Sequence, residues 1–578
     1  MFSKYYSREL RNLRNLSKEF SLAHPSLAPM LEGTSQDPDV ERLLEGTAYI
    51  AGMLREKIDD EFPELTQSLF ELTFPHYLRP LPSATVLSFT PKPNLMEKIS
   101  VKKNSKIQSV KIDDENCIFS TTNDIDVFPA YISDVSTEKK PGQDIKLTVK
   151  IKLKNINLSG LKIKSFNLFI NEAYDEASDI FFALQNHLKK AELTTENSPS
   201  SSKYILDPEK IKPGGFDEKS SLIPYPEQAH KAYRILQEYF MLPEKFLFLE
   251  IQDFDAFAED NENNEFEISF YIEKLNNFKA DINKNSFLLF AVPGINLFDH
   301  DAAPVSVDHK QSEYKINPTG YKNNRYEIFS IEKVSGYTQG SASKKEYYSV
   351  FDSKKNNENA GTYSVKRRLS SVTNQQDIYI STGYASTDKM PDRETLSISL
   401  LCSSGDTAKM LQTGDICLDT STSPELCTFR NITPPTSPLR PSVTRDLWKY
   451  MSHLSLNLMN IMDENNLKEL LSLYIFPESR DQKNVKKTEK KIESISGLKK
   501  ENTNILYKGS VLRGQKIIIS ANSGNFASKG DFYIFGSVLN NFFSGYSAIN
   551  SFTQLILQDD LTGEEFIWAP KPGEKQVL

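Results

Sequence analysis

The stretch DDEFPELTQSLFELTFPHYLRPLPS, residues 59–83, lies between two parts of the chain with different hydrophobic patterns. Four of its residues are prolines: Pro63, Pro75, Pro80 and Pro82. A proline fixes its own φ and restricts the residue before it, so the stretch cannot be one continuous helix. The carboxylates at 59–61 could belong to a catalytic cluster with His76, but consecutive helical side chains point about 100° apart and cannot converge on one ion. We therefore interpret the stretch as a rigid joint.

The chain before this joint is predicted to be helical. The first helix carries apolar positions at helical spacing and must end near His24-Pro25, because a residue before proline resists the α conformation. A second helix is predicted to begin at Asp37-Pro38, with an N-cap followed by proline. A third, short helix is predicted to carry Leu65, Leu69 and Leu72.

The chain after the joint changes to a period of two. In IKLTVKIKL (145–153) apolar residues alternate with polar ones, which is typical of an antiparallel strand with one buried face. The other predicted strands are 165–171, 287–292, 324–334, 377–381, 396–402, 516–520 and 552–557. The predicted helices carry apolar positions at 180–188, 447–458 and 538–543.

These patterns predict a multidomain α+β protein with a helical N-terminal arm and β-rich, mainly antiparallel domains with interspersed helices. A chain of 578 residues is long enough for about four domains. We place them at 1–82 (helical), 83–335 (β-rich with helical and loop insertions), 336–430 (a second β-rich region) and 431–578 (an α+β region with a proline-rich linker and a helix).

Four polar or proline-rich stretches are predicted to lack regular structure. Residues 196–215 and 259–267 have few apolar anchors and are predicted to be surface loops. The lysine-rich run KNVKKTEKKIESISGLKK (483–500) is predicted to be a solvated linker. The prolines of 430–443 favour an extended segment.

Composition excludes several classes of function. The net charge of −8, from 69 basic and 77 acidic side chains, does not attract a phosphate backbone, so we predict no nucleic-acid partner. No apolar run approaches the roughly 18 residues of a membrane span. The four cysteines form no CxxC pair and are predicted to be reduced and mostly buried, as in a cytoplasmic protein: Cys117, Cys402, Cys417 and Cys427.

Motifs of known enzymes are missing from the sequence, among them the P-loop, GxGxxG, HExxH and GxSxG. The strongest alternative is a metal-dependent hydrolase using the cluster Asp299, His300, Asp301, Asp308 and His309. Asp and His in turns more often bridge backbone groups, so we predict no metal, no cofactor and no enzymatic activity. A Ser–His pair at Ser452–His453 has no readable orienting acid. An independent carbohydrate-binding β protein is disfavoured because surface Trp residues are scarce.

Long strings of the sequence resemble one known family. SRELRNLRNLSKEFSLAHPSLAPML and DPDVERLLEGTAYIAGMLREKIDDEFPELTQSLFELTFPHYLRPLPS are similar to the N-terminal signature of TssF, a baseplate subunit family of the bacterial type VI secretion system. The similarity continues through 238–251, 293–316, 325–336, 439–457 and 532–557, in family order. CSSGDTAKML (402–411) departs from the family pattern, so the resemblance implies nothing about the contacts of that loop.

The resemblance implies a structural role in a contractile machine. TssF-like proteins form wedges, typically as two copies with one TssG, together with TssK and TssE, around the VgrG spike on which the Hcp tube and the sheath are built. It further implies a cytoplasmic location at an inner-membrane-docked baseplate of a Gram-negative bacterium, without membrane insertion of this chain and without a cofactor.

Apolar faces of the predicted helices are the candidate subunit interfaces. The arm could dock on a partner, or its two apolar seams could pack only on each other, and the sequence leaves both open. The proposed interface residues are Leu10, Leu13, Phe20, Leu43, Ile50, Leu54, Trp448, His453, Phe542 and Phe543.

Overall fold

The structure is a computed structural model. It describes residues 2–23, 38–59, 67–68, 70–71, 75–139, 143–195, 203–225, 231–259, 261–274, 282–320, 326–338, 344–350, 361–370, 376–384, 393–440, 463–475, 482–507 and 509–573.

Helices in the described ranges are concentrated at the two ends of the chain and around its middle. The α-helices are α1 (Phe2–Ala23), α2 (Pro38–Asp59), α3 (Leu158–Leu161), α4 (Tyr174–Asn186), α5 (Ala232–Met241), α6 (Phe254–Ala258), α7 (Glu464–Ser472), α8 (Gln482–Glu493) and α9 (Lys529–Tyr546). Short 3-10 turns occupy Pro75–Tyr77, Pro208–Lys210, Glu218–Ser220, Pro243–Phe246, Gly405–Met410 and Ser523–Asn525.

Strands make up most of the remaining chain. The first half contains β1 (Ala84–Pro91), β2 (Ile99–Val101), β3 (Lys106–Ile112), β4 (Glu115–Thr121), β5 (Ile125–Val127), β6 (Ala130–Glu138), β7 (Ile145–Leu153), β8 (Phe166–Ile170), β9 (Leu188–Thr194), β10 (Tyr204–Leu206), β11 (Ile211–Pro213), β12 (Phe248–Ile251), β13 (Glu265–Ile272), β14 (Phe287–Leu288) and β15 (Ala291–Ile295). The second half contains β16 (Phe298–Asp301), β17 (Val305–Val307), β18 (Tyr314–Ile316), β19 (Glu327–Thr338), β20 (Lys344–Ser349), β21 (Gly361–Leu369), β22 (Gln376–Gly383), β23 (Glu394–Ser403), β24 (Ile416–Leu418), β25 (Cys427–Asn431), β26 (Ile495–Tyr507), β27 (Ser510–Ala521), β28 (Ser551–Asp559), β29 (Glu565–Ile567) and β30 (Lys571–Pro572).

The strands form several separate sheets. Their orders are β24-β3-β4-β15-β1-β25, β10-β9-β13-β7-β6, β11-β12-β8-β14, β16-β23-β19-β20-β21-β22-β18 with β17 on β23, β2-β5, and β26-β27-β28-β29 with β30 on β28. Pairing is antiparallel except between β20 and β21 and between β27 and β28. The predicted α+β class with mainly antiparallel sheets is therefore confirmed.

Strand β7 shows why the period-two pattern predicts this architecture. Ile145, Leu147, Val149, Ile151 and Leu153 are all buried, and the alternating lysines at 146, 150 and 152 are only partly buried. Lys150 and Lys152 pair with Glu267 and Glu265 on the neighbouring β13, at 2.7 and 2.9 Å. One face of the strand therefore forms core, and the other forms cross-strand ion pairs.

The hydrophobic core falls into two clusters. One is confined to the sheet built from residues 298–403. The other is a single larger cluster that contains residues from Phe70 to Phe566 in the rest of the chain, together with a few from that sheet. The predicted domain boundary at 335/336 falls inside β19, which pairs with β23 over most of its length. A boundary there would divide one strand of one sheet, so this sheet is better delimited by residues 298 and 403.

Two predicted loops are wrong. Residues 483–500, predicted to be a solvated linker, form most of α8 and the start of β26. Ile492 and Ile495 are buried there and anchor the run to the core, which the lysine content concealed. Within 196–215, β10 and β11 pair with β9 and β12. The predicted helix at 447–458 lies outside the described residues, as does half of the one at 65–72, whose described residues, 67–68 and 70–71, are helical.

The cysteines agree with the prediction. Cys117, Cys402 and Cys427 are buried, Cys417 is exposed, and none of these four cysteines forms a disulfide. Burial raises the pKa of the Cys402 thiol to about 12 and that of Cys427 to about 11. Thiols held in this protonated form are poor nucleophiles.

Candidate interaction surfaces

The N-terminal arm is an antiparallel pair of helices, α1 and α2. Arg14 of α1 forms an ion pair of 2.5 Å with Glu41 at the start of α2. Near the other end, a Cβ placed on Gly52 would lie 3.1 Å from the backbone nitrogen of Tyr6. The helices thus approach closely at a glycine, and the first part of α1 lies against the last part of α2.

Helix α2 uses small residues for this contact and leaves its large apolar residues outside. Ala48 is fully buried and Gly52 is buried. In contrast, Leu43, Ile50 and Leu54 are 73%, 60% and 59% exposed. The seam predicted on α2 therefore does not pack on α1. We call Leu43, Tyr49, Ile50, Met53 and Leu54, all exposed, the outer stripe of the arm.

In helix α1, some of the predicted arm residues are half-buried within the helix pair and others are exposed to solvent. Leu10 and Leu13 are half-buried, whereas Phe20 is 47% exposed and Leu16 is 58% exposed. The two predicted seams therefore do not pack only on each other, and docking of the arm on a partner stays a prediction. Some of the predicted apolar residues of α1 pack within the helix pair, and the rest of the apolar surface faces outward.

The prediction that Phe542 and Phe543 present an interface is wrong for the folded chain, because both side chains are fully buried. Helix α9 packs against α4, α5 and β28, so it is covered on several sides. The Phe542 ring lies 5.7 Å from that of Tyr233 and 5.2 Å from that of Tyr546. These residues are core. Trp448 and His453 lie outside the described residues.

The described part of the joint, which includes residues 70–71 and 75–83, is held between distant parts of the chain. Tyr225 Oη lies 3.0 Å from His76 Nε2, and Tyr77 Oη donates a hydrogen bond of 2.7 Å to Tyr474 Oη. The rings of His76 and Tyr77 lie 4.5 Å apart and pack toward Tyr233. His76 is therefore a buried packing residue in an aromatic cluster.

The other side of the joint contacts the sheet of residues 298–403. Arg367 Nε donates to Glu71 at 3.3 Å, and the Arg79 guanidinium lies 5.3 Å from the Phe329 ring centre. Burial lowers the pKa of Arg79, and the nearby Glu71 carboxylate opposes this. Leu81 forms a backbone bridge with Leu439. The interpretation of the stretch as a joint is consistent with these contacts, which link it to the large core cluster and to the sheet of residues 298–403.

A buried charge cluster at the start of α9 was missed from the sequence. The Asp531 carboxylate is fully buried and accepts hydrogen bonds from Tyr174 Oη (2.9 Å) and Tyr239 Oη (2.8 Å). Lys491 Nζ of α8 lies 2.7 Å from the same carboxylate. Burial, followed by the Asp531 charge, raises the pKa of both tyrosines well above the usual value. Ser528, three residues before Asp531, is the only local sequence signal, an N-cap.

A second buried cluster links α5 to the turn that follows it. The Glu238 carboxylate is paired with both Arg234, at 3.0 Å, and Lys245. It also accepts a hydrogen bond from the backbone of Leu222 at 2.7 Å. Two cations share one buried anion, and these contacts fix α5, the turn after it and the backbone at Leu222 to one another.

The candidate metal ligands are used in other contacts. Asp299 pairs with Lys106 at 2.8 Å, and His300 Nε2 lies 2.8 Å from the Thr319 carbonyl. Asp308 accepts hydrogen bonds from the Lys310 backbone and Tyr314 Oη, and these lower its pKa. Within the described ranges, no three His, Cys, Asp or Glu side chains are grouped so as to hold a metal ion. The geometry does not support the hydrolase alternative.

None of the described helices combines the length and the apolar character needed to cross a bilayer.

Similarity to known proteins extends over nearly the whole chain. Residues 1–575 match the protein-family model described as "Type VI secretion system, TssF". The chain belongs to the TssF family. The family predicted from the strings at 7–31 and 37–83 is thereby confirmed.

Relatives agree with this assignment. The chain is 25% identical to the type VI secretion system component TssF1 of Pseudomonas aeruginosa over an alignment of 626 residues, covering 100% of this chain and 99% of the relative. It is similar, at 25% identity and a TM-score of 0.78, to a chain in a cryo-electron microscopy structure of the type VI secretion system TssK-TssF-TssG baseplate subcomplex, covering 93% of this chain and 99% of that one. A chain in another structure of the type VI baseplate complex is 22% identical with a TM-score of 0.60, covers 100% of both chains and shares the fold.

The predicted role follows from this membership. This TssF-family chain is a structural component of the type VI secretion baseplate.

Proposed function

We propose that this chain is a non-catalytic wedge subunit that assembles with TssG and TssK, two copies of this chain to one TssG. The observation that carries the proposal is the likeness, over 93% of this chain, to a chain solved in a TssK-TssF-TssG subcomplex. TssE, the VgrG spike, the Hcp tube and the sheath are the further neighbours we propose in the assembled machine. The wedge lies in the cytoplasm, at a baseplate docked to the inner membrane.

The outer stripe of the arm supports a role in assembly. Leu43, Ile50 and Leu54 repeat on one face of a helix that already has α1 on its other face. Burying one exposed Leu or Ile side chain contributes about 1.5 to 3 kcal/mol. A partner helix that covers three of them gains enough to hold the arm in place, and we propose TssG as that partner.

The experiment is co-expression of this chain with TssG and TssK of the same bacterium, followed by native mass measurement of the purified complex. We expect a 2:1 ratio of this chain to TssG. A triple variant, Leu43→Ser, Ile50→Ser and Leu54→Ser, should lose TssG while remaining folded. The matched control changes three exposed apolar residues elsewhere, Ile205→Ser, Leu561→Ser and Ile567→Ser, and should retain TssG. A folded chain that binds neither subunit would refute the proposal.

The absence of catalysis is tested separately. His300→Ala and His309→Ala remove the two imidazoles on which the alternative function, a metal-dependent hydrolase, would depend. We expect Hcp release by cells carrying these variants to remain at the wild-type level, provided that the variant chains are as abundant. Loss of secretion by an equally stable, assembled variant would favour the hydrolase instead.

A further inference from the structure

Strands β26 and β27 continue beyond the C-terminal sheet as a two-stranded ribbon. β28 pairs with β27 only from Arg513 to Ala521, whereas β26 and β27 remain paired from Asn504↔Arg513 outward to Tyr507↔Ser510. We call residues 504–507 and 509–513 the ribbon tip. No described strand lies on the outer edge of β26. A two-stranded ribbon is only marginally stable in water, so a protruding tip of this kind gains from being covered.

The ribbon tip is apolar where it is most exposed. Leu506 and Val511 lie directly opposite each other, and their side chains are 77% and 70% exposed. Among the described residues, Leu506 is the most exposed large apolar side chain. The next pair, Ile505 and Leu512, is only half-buried. Four aliphatic side chains thus form a knob on both faces of the ribbon.

The ribbon is also basic, although the chain as a whole is acidic. Residues 499–516 contain five basic side chains and one acidic one, a net charge of +4, whereas the whole chain carries −8. Lys499 and Arg513 are exposed and Lys516 is half-exposed. Basic side chains along the same ribbon as these exposed aliphatic ones make the surface complementary to an apolar pocket with carboxylates at its rim.

The backbone of the ribbon favours a protein over a lipid surface. The outer edge of β26 presents N–H and C=O groups, and a bilayer core offers no partners for them. A protein surface can supply both the apolar pocket and hydrogen-bonding groups for the edge. The side chains near the tip, Asn502, Thr503 and Asn504, are polar and suit a contact of this mixed kind.

We propose that the ribbon tip docks on a different protein subunit of the baseplate, in an apolar pocket bordered by Asp or Glu side chains. Leu506 and Val511 fill the pocket, and Arg513, on the same face of the ribbon as Val511, faces the carboxylates, while Lys516 adds positive charge on the opposite face. This contact is separate from the outer stripe of the arm. It rests on the proposed function only in assuming that this chain has subunit neighbours.

The test is site-specific photo-crosslinking in the complex co-expressed with TssG and TssK. A benzophenone amino acid replaces Leu506 in one chain and Ile567 in the control; Ile567 is also exposed and lies in β29, at the other end of the same sheet. We expect the probe at 506 to link to another subunit at a peptide that carries apolar residues together with Asp or Glu. The probe at 567 should give at least about fivefold less product.

Charge reversal supplies an independent readout. Arg513→Glu with Lys516→Glu should weaken the affinity for the crosslinked subunit about tenfold or more, because like charges then meet at the pocket rim. The matched control, Lys212→Glu with Lys409→Glu, reverses two exposed lysines elsewhere and should change the affinity less than about twofold. Unchanged circular dichroism of both variants shows that folding is retained.

Each other outcome overturns the inference. A crosslink from 506 to a second copy of this chain assigns the tip to self-association. Binding of the purified chain to phosphatidylglycerol vesicles that is lost in Leu506→Ser assigns it to a membrane. An intact complex with no crosslink above the control refutes the tip contact and leaves the proposed function standing. If no complex forms at all, both proposals fall.

Discussion

Helices α2 and α9 both carry large apolar residues, but the surroundings of these residues are opposite. In α2 the large apolar side chains, Leu43, Ile50 and Leu54, face outward, and the buried positions are small. In α9 almost every side is covered, with Phe542 and Phe543 fully buried. The difference lies in the neighbours that the chain itself supplies, because α9 packs against α4, α5 and β28 whereas α2 packs against α1. An apolar helical face therefore indicates that something covers it, without indicating whether this chain or another does.

The largest expected effect concerns α9, the buried helix of the two. Asp531→Ala removes the acceptor for Tyr174 and Tyr239 and leaves the Lys491 ammonium buried beside them without its carboxylate. Breaking a buried ion pair in this way should lower the free energy of unfolding by about 5 kcal/mol. Urea denaturation followed by circular dichroism measures the loss.

Glu564→Ala is the matched control, because Glu564 forms a surface ion pair with Lys529, the first residue of the same helix α9. Its removal should cost less than about 1 kcal/mol. Equal losses in the two variants would mean that the Asp531 cluster does not stabilise the C-terminal part of the chain.

The second prediction compares the two helices directly. Phe542→Ala creates a cavity in the core and should lower the free energy of unfolding by about 3 to 4 kcal/mol. Ile50→Ala removes an exposed side chain and should change it by less than about 0.5 kcal/mol. The order should reverse for TssG binding measured with folded protein, since only Ile50 lies on the outer stripe. If Ile50→Ala destabilises the isolated chain as much as Phe542→Ala, the arm is internally packed and the comparison fails.

The third prediction concerns pH and the Lys245–Glu238 pair. Burial lowers the pKa of Lys245 from 10.5 to about 8, although the Glu238 charge opposes the shift. Between these two values the folded chain has lost a proton that the unfolded chain still holds, so the unfolding free energy rises with pH. From pH 8 to 9.5 this group should contribute a gain of roughly 1 kcal/mol per pH unit.

The measurement is urea denaturation at several pH values for the wild type and Lys245→Met. The gain should be present in the wild type and missing in the variant. The control is Lys210→Met: the hydrogen bond to Asp253 raises the pKa of Lys210, so this exposed lysine stays protonated in both states over the range. Parallel profiles for the wild type and Lys245→Met would contradict the assignment of the shift to burial.

The smallest expected effect sharpens the description of α2. Gly46→Ala should stabilise the helix by about 0.5 to 1 kcal/mol, because nothing lies within 4 Å of the added Cβ and alanine is the better helix former. Gly52→Ala should gain less or lose stability, because its Cβ would lie 3.1 Å from the Tyr6 backbone. Hydrogen exchange of the α2 amides in the full chain measures both. Equal gains at the two positions would show that the close approach of α1 is absent.

Much of this architecture could be predicted from local patterns. The alternation in 145–153 predicted β7, and the prolines at 25 and 38 predicted the end of α1 and the start of α2. These features depend on backbone restrictions and on side-chain alternation, which act within a few residues. The ordered strings at both ends predicted the family, because such strings carry far more information than composition.

Other features depended on distant residues and could not be predicted. Lys491 was interpreted as part of a solvated linker because the run around it is basic, yet its partner Asp531 lies 40 positions later. The placement of His76 beside Tyr225 joins residues 149 positions apart. The sequence by itself determined most of the element types, the joint and the family, since these follow from local sterics and residue order. Only the tertiary structure decided which apolar faces are covered and which charges are paired, because burial is a property of neighbours that the chain brings together from far apart.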